Sequence, residues 1–392
     1  MRKSALFWFG LVVATLVALG LVVLFSASTP NSIRLNHGDA WFFFRRQLIY
    51  VGVGLVGAAV VASVDYHVLR RHPLLVWLMY GTVFLLLLAV FPPLGRRVNG
   101  AFRWINLGPV NLQPSELAKL AIVVVLARWM DKLNWNVETF WKGAFVPFLL
   151  IGAYALPILC ETDLGSTMVV GGAGVLVMFV AGTRLSHLIG LGACGAATFL
   201  AFMVTNANRM RRLSAWLPPK IASLLGYDAA ASGSGEMSSA AYQSWNSLVA
   251  IRRGGIGGVG LTQSMQKQYY LPEAHTDFIF AVGAEELGIG FSIAVIVLFA
   301  LFLAFAVYIA NKASDRFGRL LVIGMTFIIF FQAMFNLGVV CEALPTKGMA
   351  LPFFSYGGTN MVSALVAVGT ILSVGIHSYR DTKRTVRSNA LG

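Results

Sequence analysis

Apolar runs of roughly 20 residues, parted by short polar stretches, recur along the whole chain. They predict ten membrane spans, near residues 5–25, 47–64, 74–91, 114–130, 144–160, 166–182, 187–205, 278–310, 320–341 and 359–377. The opening "MRKSALFWFGLVVATLVALGLVVLFSAS" has a basic head, but its apolar part is too long for a cleaved signal and reads as a retained first span. The eighth run is too long for one straight crossing, so its first turns lie in a protein-lined cavity or the helix is strongly tilted. The expected fold is an all-α polytopic membrane protein, one membrane domain over residues 1–392. Its large extracytoplasmic loop, 206–276, lies between helices 7 and 8.

Composition agrees. With 57% hydrophobic and 12% charged residues and a mean hydropathy of +0.75, the chain cannot be a soluble globular protein. An even number of spans puts both termini on one side, and charge decides which. Of the 30 Lys and Arg residues, 15 flank the spans on the side of the termini. Seven fall in the long loop, which the positive-inside rule does not weigh, leaving 8 opposite. Both termini are thus expected in the cytoplasm. Cys160, Cys194 and Cys341 match neither a metal pattern nor a disulfide framework and are expected to pack among apolar neighbours. A nucleic-acid partner is not expected.

Four polar stretches fall on the extracytoplasmic side of this topology. In "GRRVNGAFRWINLGPVNLQPSELAKL", Gln113-Pro114-Ser115-Glu116 reads as a helix start, and Glu116 and Lys119 share one helical face, where they pair. Upstream, Arg96, Arg97 and Arg103 stand with Trp104, as a phosphate grip or as interfacial anchors. Arg45 and Arg46, at the start of the second span, invite the same two readings. "ETDLGST" puts Glu161 and Asp163 between two spans, as ligands for a divalent cation or, for Asp163, as a helix cap. The long loop ends in "IRRGGIGGVGLTQSMQKQYYLPEAHTDFIFAVGAEELG". There Arg252, Arg253, Lys267 and glycine-rich backbone suit an anion, unless the stretch is a plain linker. Asp277 lies at the mouth of the eighth span, as a functional acid or as that helix's cap, while Glu285 and Glu286 suit a structural or cavity-lining role. "LPTKGMALPFFSYGG" carries Lys347 in an irregular segment tolerable at membrane depth only beside a cavity. Cations, carboxylates and glycine-rich backbone on one face suit a lipid-borne diphosphate better than an ion pathway.

The succession "NGAFRWINLG", "QPSELAKL", "ETDLGST", "YLPEAHTDFIFAVGAEELG" and "LPTKGMALPFFSYGG" within ten spans resembles the SEDS (shape, elongation, division and sporulation) family over residues 10–378 or so. "LPTKG" followed by "LPFFSYGG" looks more like its division member than its elongation member, although Thr359-Asn360 replaces two small hydroxyl residues common there. The resemblance implies a peptidoglycan glycosyltransferase that polymerises lipid II at the outer face of the bacterial cytoplasmic membrane, at the division septum. It further implies stimulation by a divalent metal, Mg or Mn, and as partners a class B penicillin-binding protein transpeptidase and other division-complex membrane proteins. The family's essential acid falls on Asp277, as the catalytic base or as a ligand of the metal assisting it, with Asp163 as a second acid and metal ligand. Its functional Glu and Lys fall on Glu116 and Lys119. Alternatives are an elongation-type polymerase, a flippase for the lipid-linked precursor, and a scaffold that activates the transpeptidase. A flippase needs polar groups reaching both leaflets, whereas the inner loops hold little beyond basic residues.

Overall fold

The computed structural model describes residues 3–36, 38–72, 77, 81–82, 86, 95–98, 101–106, 111–161, 163–204, 239–268, 270–345 and 348–389. Helices α1 (Lys3–Leu35), α2 (Phe42–Ser63) and the short α3 (His67–Arg71) precede a small antiparallel sheet of β1 (Gly95–Val98), β2 (Ala101–Asn106) and β3 (Asn111–Leu112). Then come α4 (Pro114–Leu133), a 3-10 turn (Asn134–Glu138), a π-helical turn (Phe140–Phe145), α5 (Val146–Cys160), α6 (Leu164–Ala181) and α7 (Leu185–Val204). The chain closes with α8 (Ser239–Gly254), α9 (Ile279–Asn311), α10 (Arg316–Val340) and α11 (Gly358–Asn389). Among the described residues, 8 helices are long and apolar enough to cross a membrane, and they follow the expected spans closely. The span expected at 74–91 lies almost wholly outside the described residues, as does 206–238 of the long loop.

Helix α4 is too charged to qualify as a span by composition. It sits inside the bundle against α6 and α10, where Ile122, Val123 and Leu126 have no exposed surface. Charge on this helix is tolerable because it meets protein rather than lipid. At the other extreme α7 buries only Leu188. Three expectations are corrected. Residues 95–98, 101–106 and 111–112, in a stretch expected to grip phosphate or anchor at the interface, form the sheet, whose β1–β2 register brings Val98 opposite Ala101, the two separated in sequence by Asn-Gly, a dipeptide that favours hairpins. The three cysteines are exposed on the bundle rather than packed, since apolar helix faces here look outward to lipid. The end of the long loop is not a linker: it folds as α8 and then as a glycine-rich strap laid on α9.

The over-long eighth run resolves into two parts. Gly288 breaks the helical path inside α9 (φ 73°, ψ −166°). Residues 279–286 before it are all buried in protein, whereas Ile289, Ile293, Ile296 and Val297 beyond it are about half exposed, as lipid-facing residues should be.

Candidate active site

At the end of the bundle opposite the termini, three helices begin at one place. Pro114 opens α4, where its missing N–H costs nothing. The preceding Gln113 donates its backbone N–H to Oγ1 of Thr359, in the first turn of α11 (3.2 Å), and its Nε2 to Oδ2 of Asp163 (3.4 Å). Asp163 caps α6, accepting from the Ser166 N–H at Oδ1 (3.2 Å) and from Ser166 Oγ at Oδ2 (2.8 Å). Converging helix N-termini gather unsatisfied N–H groups and positive dipole ends, which attracts anions. One turn deeper, Lys119 Nζ meets Glu116 Oε1 at 2.7 Å, both side chains almost fully buried, and Ser363 of α11 donates to the other Glu116 oxygen (2.9 Å).

Arg103, half-buried on β2, donates Nε to the backbone carbonyl of Glu161 (3.1 Å). The Glu161 side chain is 2% exposed, and neither carboxylate oxygen has a hydrogen-bond partner among the described residues. Burial, reinforced by the neighbouring Asp163 charge and only partly offset by Arg103, pushes its pKa up to about 8.

Asp277 is not the cap of α9. The capping position is Phe278, and Asp277 closes a tight turn in which the N–H groups of Thr276 and Phe278 both donate to the Glu273 carbonyl. This turn is fixed from several sides. Asn336 of α10 donates Nδ2 to the Asp277 carbonyl (2.7 Å) and to that of Met349 (2.7 Å). Ser355 Oγ donates to the Thr276 carbonyl (2.6 Å), and the Tyr356 N–H to the His275 carbonyl (3.0 Å). The Asp277 carboxylate lies against Gly348, so closely that a Cβ on Gly348 would come within 2.4 Å of Oδ2. On the other side, the Gly348 carbonyl and Asp163 Oδ1 both lie within 4 Å of where a Cβ on Gly165 would stand. Asp277 thus touches Gly348, and Asp163 lies in the same neighbourhood, across Gly165.

The remaining candidates divide. Arg46 stacks on the Phe42 ring (5.1 Å) and lies near Tyr356, whose pKa burial raises and Arg46 draws back, so it borders the Asp277 turn. Arg45 pairs with Asp39. Arg252 is exposed at the end of α8, and Arg253 faces Glu285 at 3.6 Å. Lys267 is buried and bonded to Glu286 and Ser26, both at 2.7 Å, away from Asp277. The strap's N–H groups do not cradle an anion: those of Val259 and Gly260 donate to the carbonyls of Glu285 and Glu286. Lys347 lies outside the described residues. Sequence reasoning missed Gln113, Asn336 and Gly348. Asn336 had a signal, being a lone amide in an apolar span.

The family profile "Cell cycle protein" (FtsW, RodA, SpoVE) matches residues 6–380. The chain belongs to this family. The probable peptidoglycan glycosyltransferase FtsW of Geobacter sp. (strain M18) is 36% identical over 359 residues, covering 92% of this chain and 93% of that protein. Stage V sporulation protein E of Bacillus subtilis is 37% identical over 371 residues, 94% of this chain and 96% of its own length. Among solved structures, a chain described under "Structural coordination of polymerization and crosslinking by a peptidoglycan synthase complex" superposes with a TM-score of 0.73 at 28% identity, covering 95% of this chain and 98% of that one. RodA of Thermus thermophilus gives 0.65 at 27% identity, over 95% and 97%. Against this FtsW/RodA/SpoVE background, residues from three of the polar stretches, Asp163, Asp277 and Gly348, come together at one end of the bundle.

Proposed function

We propose that this chain is the division-type peptidoglycan glycosyltransferase of its family, polymerising lipid II at the outer face of the cytoplasmic membrane with both termini inside. One observation carries the reading: Asp277 stands beside three converging helix N-termini, with Arg103 at their rim and Arg46 beside the Asp277 turn. That combination fits a sugar diphosphate, whose departure needs charge stabilisation more than a proton. As the GlcNAc 4-hydroxyl attacks C1 with inversion, the C1–O bond to the diphosphate breaks and the hydroxyl proton passes to Asp277. The helix N-termini and Arg103 receive the charge growing on the leaving diphosphate. Glu116 and Lys119 neutralise each other and fix the floor of the cavity.

A divalent cation, Mg or Mn, fits the donors present. Asp163 and Asp277, both in the neighbourhood of Gly348, offer hard oxygen ligands. Among the described residues no three His, Cys, Asp or Glu side chains cluster, so substrate oxygens and water would complete its shell. When bound, the cation would supply further neutralisation of the diphosphate.

The opposite end of the bundle argues against a flippase. There Tyr66 donates to Asp315 (2.9 Å), Arg70 pairs with Asp131 (2.8 Å) and Asp315 (3.4 Å), and the Ser314 N–H donates to Ser378 (3.1 Å). These bonds knit the ends of α2, α4, α10 and α11 together. The partner class B transpeptidase and placement at the septum follow from the division-type reading.

Purified protein, alone and with its transpeptidase, is expected to turn lipid II into glycan polymer, and Asp277→Asn, although folded, to make none. Near-normal polymer from that variant would return the chain to the flippase or scaffold alternatives. Labelling of a cysteine introduced at position 234 by an impermeant reagent in whole cells tests the orientation; labelling only in inverted vesicles would overturn it.

A further inference from the structure

Two adjacent carboxylates, Glu285 and Glu286, are 0% and 1% exposed inside a bundle that lipid surrounds. Such burial is costly unless every charge is met. Their side-chain bonds run to residues 253–267 and to Ser26, not to the Asp277 turn. Glu285 accepts from the backbone N–H groups of Met265 (3.2 Å) and Gln266 (3.3 Å) and from Ser264 Oγ, with Arg253 at 3.6 Å. Glu286 accepts from Lys267 Nζ (2.7 Å), from Ser26 Oγ of α1 (2.6 Å) and from the Ser264 N–H (3.3 Å).

The backbone repeats the attachment. Because Gly288 departs from the helical path, the carbonyls of Glu285 and Glu286 are released to accept from Val259 (2.9 Å) and Gly260 (3.0 Å), and the Ile289 N–H turns to the Gly255 carbonyl (3.0 Å). Gly254 and Gly258 lie so close to α9 that a Cβ on either would come within 2.1 or 2.2 Å of a carbonyl oxygen. Residues 254–267 are thus fastened to residues 284–289, and the chain between them is a closed ring. Asp277 sits on that ring.

We propose that Glu285 and Glu286 are positioning residues: by clamping residues 264–267 onto α9 they fix the ring that presents Asp277 at the cavity. This rests on Asp277 being the catalytic acid. Asn336, Ser355 and Tyr356 hold residues 275–277 at one end of this stretch, but these bonds alone would leave residues 268–274 more freedom. The clamp removes that freedom at the ring's other end.

The test uses the full-length protein in detergent, with three variants: Glu285→Gln, Glu286→Gln and the double Lys267→Met/Glu286→Leu. The double removes both charges and so keeps no unpaired ion, which restores thermal stability without restoring the clamp. For all three, kcat for lipid II polymerisation is expected to fall by about tenfold or more, with KM changed less than about twofold, since misplacement of a reacting group acts on the chemical step. Amide hydrogen exchange across residues 268–278 should speed up while α4 and α10 keep wild-type protection. A double variant with wild-type stability and wild-type kcat would overturn the proposal, as would unchanged exchange in 268–278 in the single variants. If the wild-type protein makes no polymer but the exchange pattern appears, the clamp stands and the assignment of Asp277 falls.

Discussion

Gly348→Ala isolates the position of the Asp277 carboxylate from everything else. Gly348 does not occupy the left-handed region, so alanine meets no backbone strain there, and the nearest atoms to its Cβ all belong to the Asp277 carboxylate, Oδ2 at 2.4 Å and Cγ at 3.2 Å. Ordinary contact begins near 3.4 Å, so the carboxylate must retreat by roughly 1 Å. A displacement of that size at a reacting group costs on the order of a hundredfold in rate, or about 2.7 kcal/mol of barrier. Stability should hardly change, since a side-chain end moves and no backbone is displaced. The measurement pairs kcat for lipid II polymerisation at saturating substrate with a thermal melt in the same detergent. A variant that melts like wild type and polymerises at the wild-type rate would refute the placement of Asp277 as the reacting base.

Replacing Glu116 by Gln or Lys119 by Met leaves a buried charge unpaired and should lower stability by about 3–5 kcal/mol, read as a depressed melting temperature. Gly258→Ala puts a Cβ 2.2 Å from the Glu286 carbonyl at φ +73°, and should cost about 2 kcal/mol or more; a wild-type melt would contradict the fit of the strap. Glu161 predicts a pH trend. Because its pKa rises from 4.5 unfolded to about 8 folded, the native state holds a proton that the unfolded chain releases, so stability falls as pH rises through that window. Between pH 6 and 9, in chelator, the fall should amount to roughly 2–3 kcal/mol, and Glu161→Gln should flatten it.

The membrane helices, α4 among them, were legible because hydrocarbon imposes one rule, an unbroken apolar run. The Glu116–Lys119 pair could be read from helical spacing alone. Other features rest on contacts between segments far apart in sequence, which no local pattern encodes. Lys267 reads as one more cation beside a glycine-rich loop, and only folding brings Glu286 and Ser26 to it. Of the glycines that suggested an anion cradle, Gly254 and Gly258 are small because α9 lies against them. Asp163 and Asp277 were each suspected, but Gly348, which Asp277 touches, belongs to a third stretch. The sheet at 95–112 was missed despite its Asn-Gly signal, because the surrounding apolar spans suggested an interfacial loop.

The break at Gly288 has a bearing on lipid. As one continuous rod, the 33 residues of α9 would measure about 50 Å, far beyond a hydrocarbon core of about 30 Å. Residues 289–311 alone measure about 34 Å, which a slight tilt accommodates. Hydrophobic mismatch therefore acts on the lipid-facing part, while residues 279–286 stand in a protein surround of fixed height. A cell that thickens or thins its membrane would alter the tilt below Gly288 and leave the level of Asp277 unchanged.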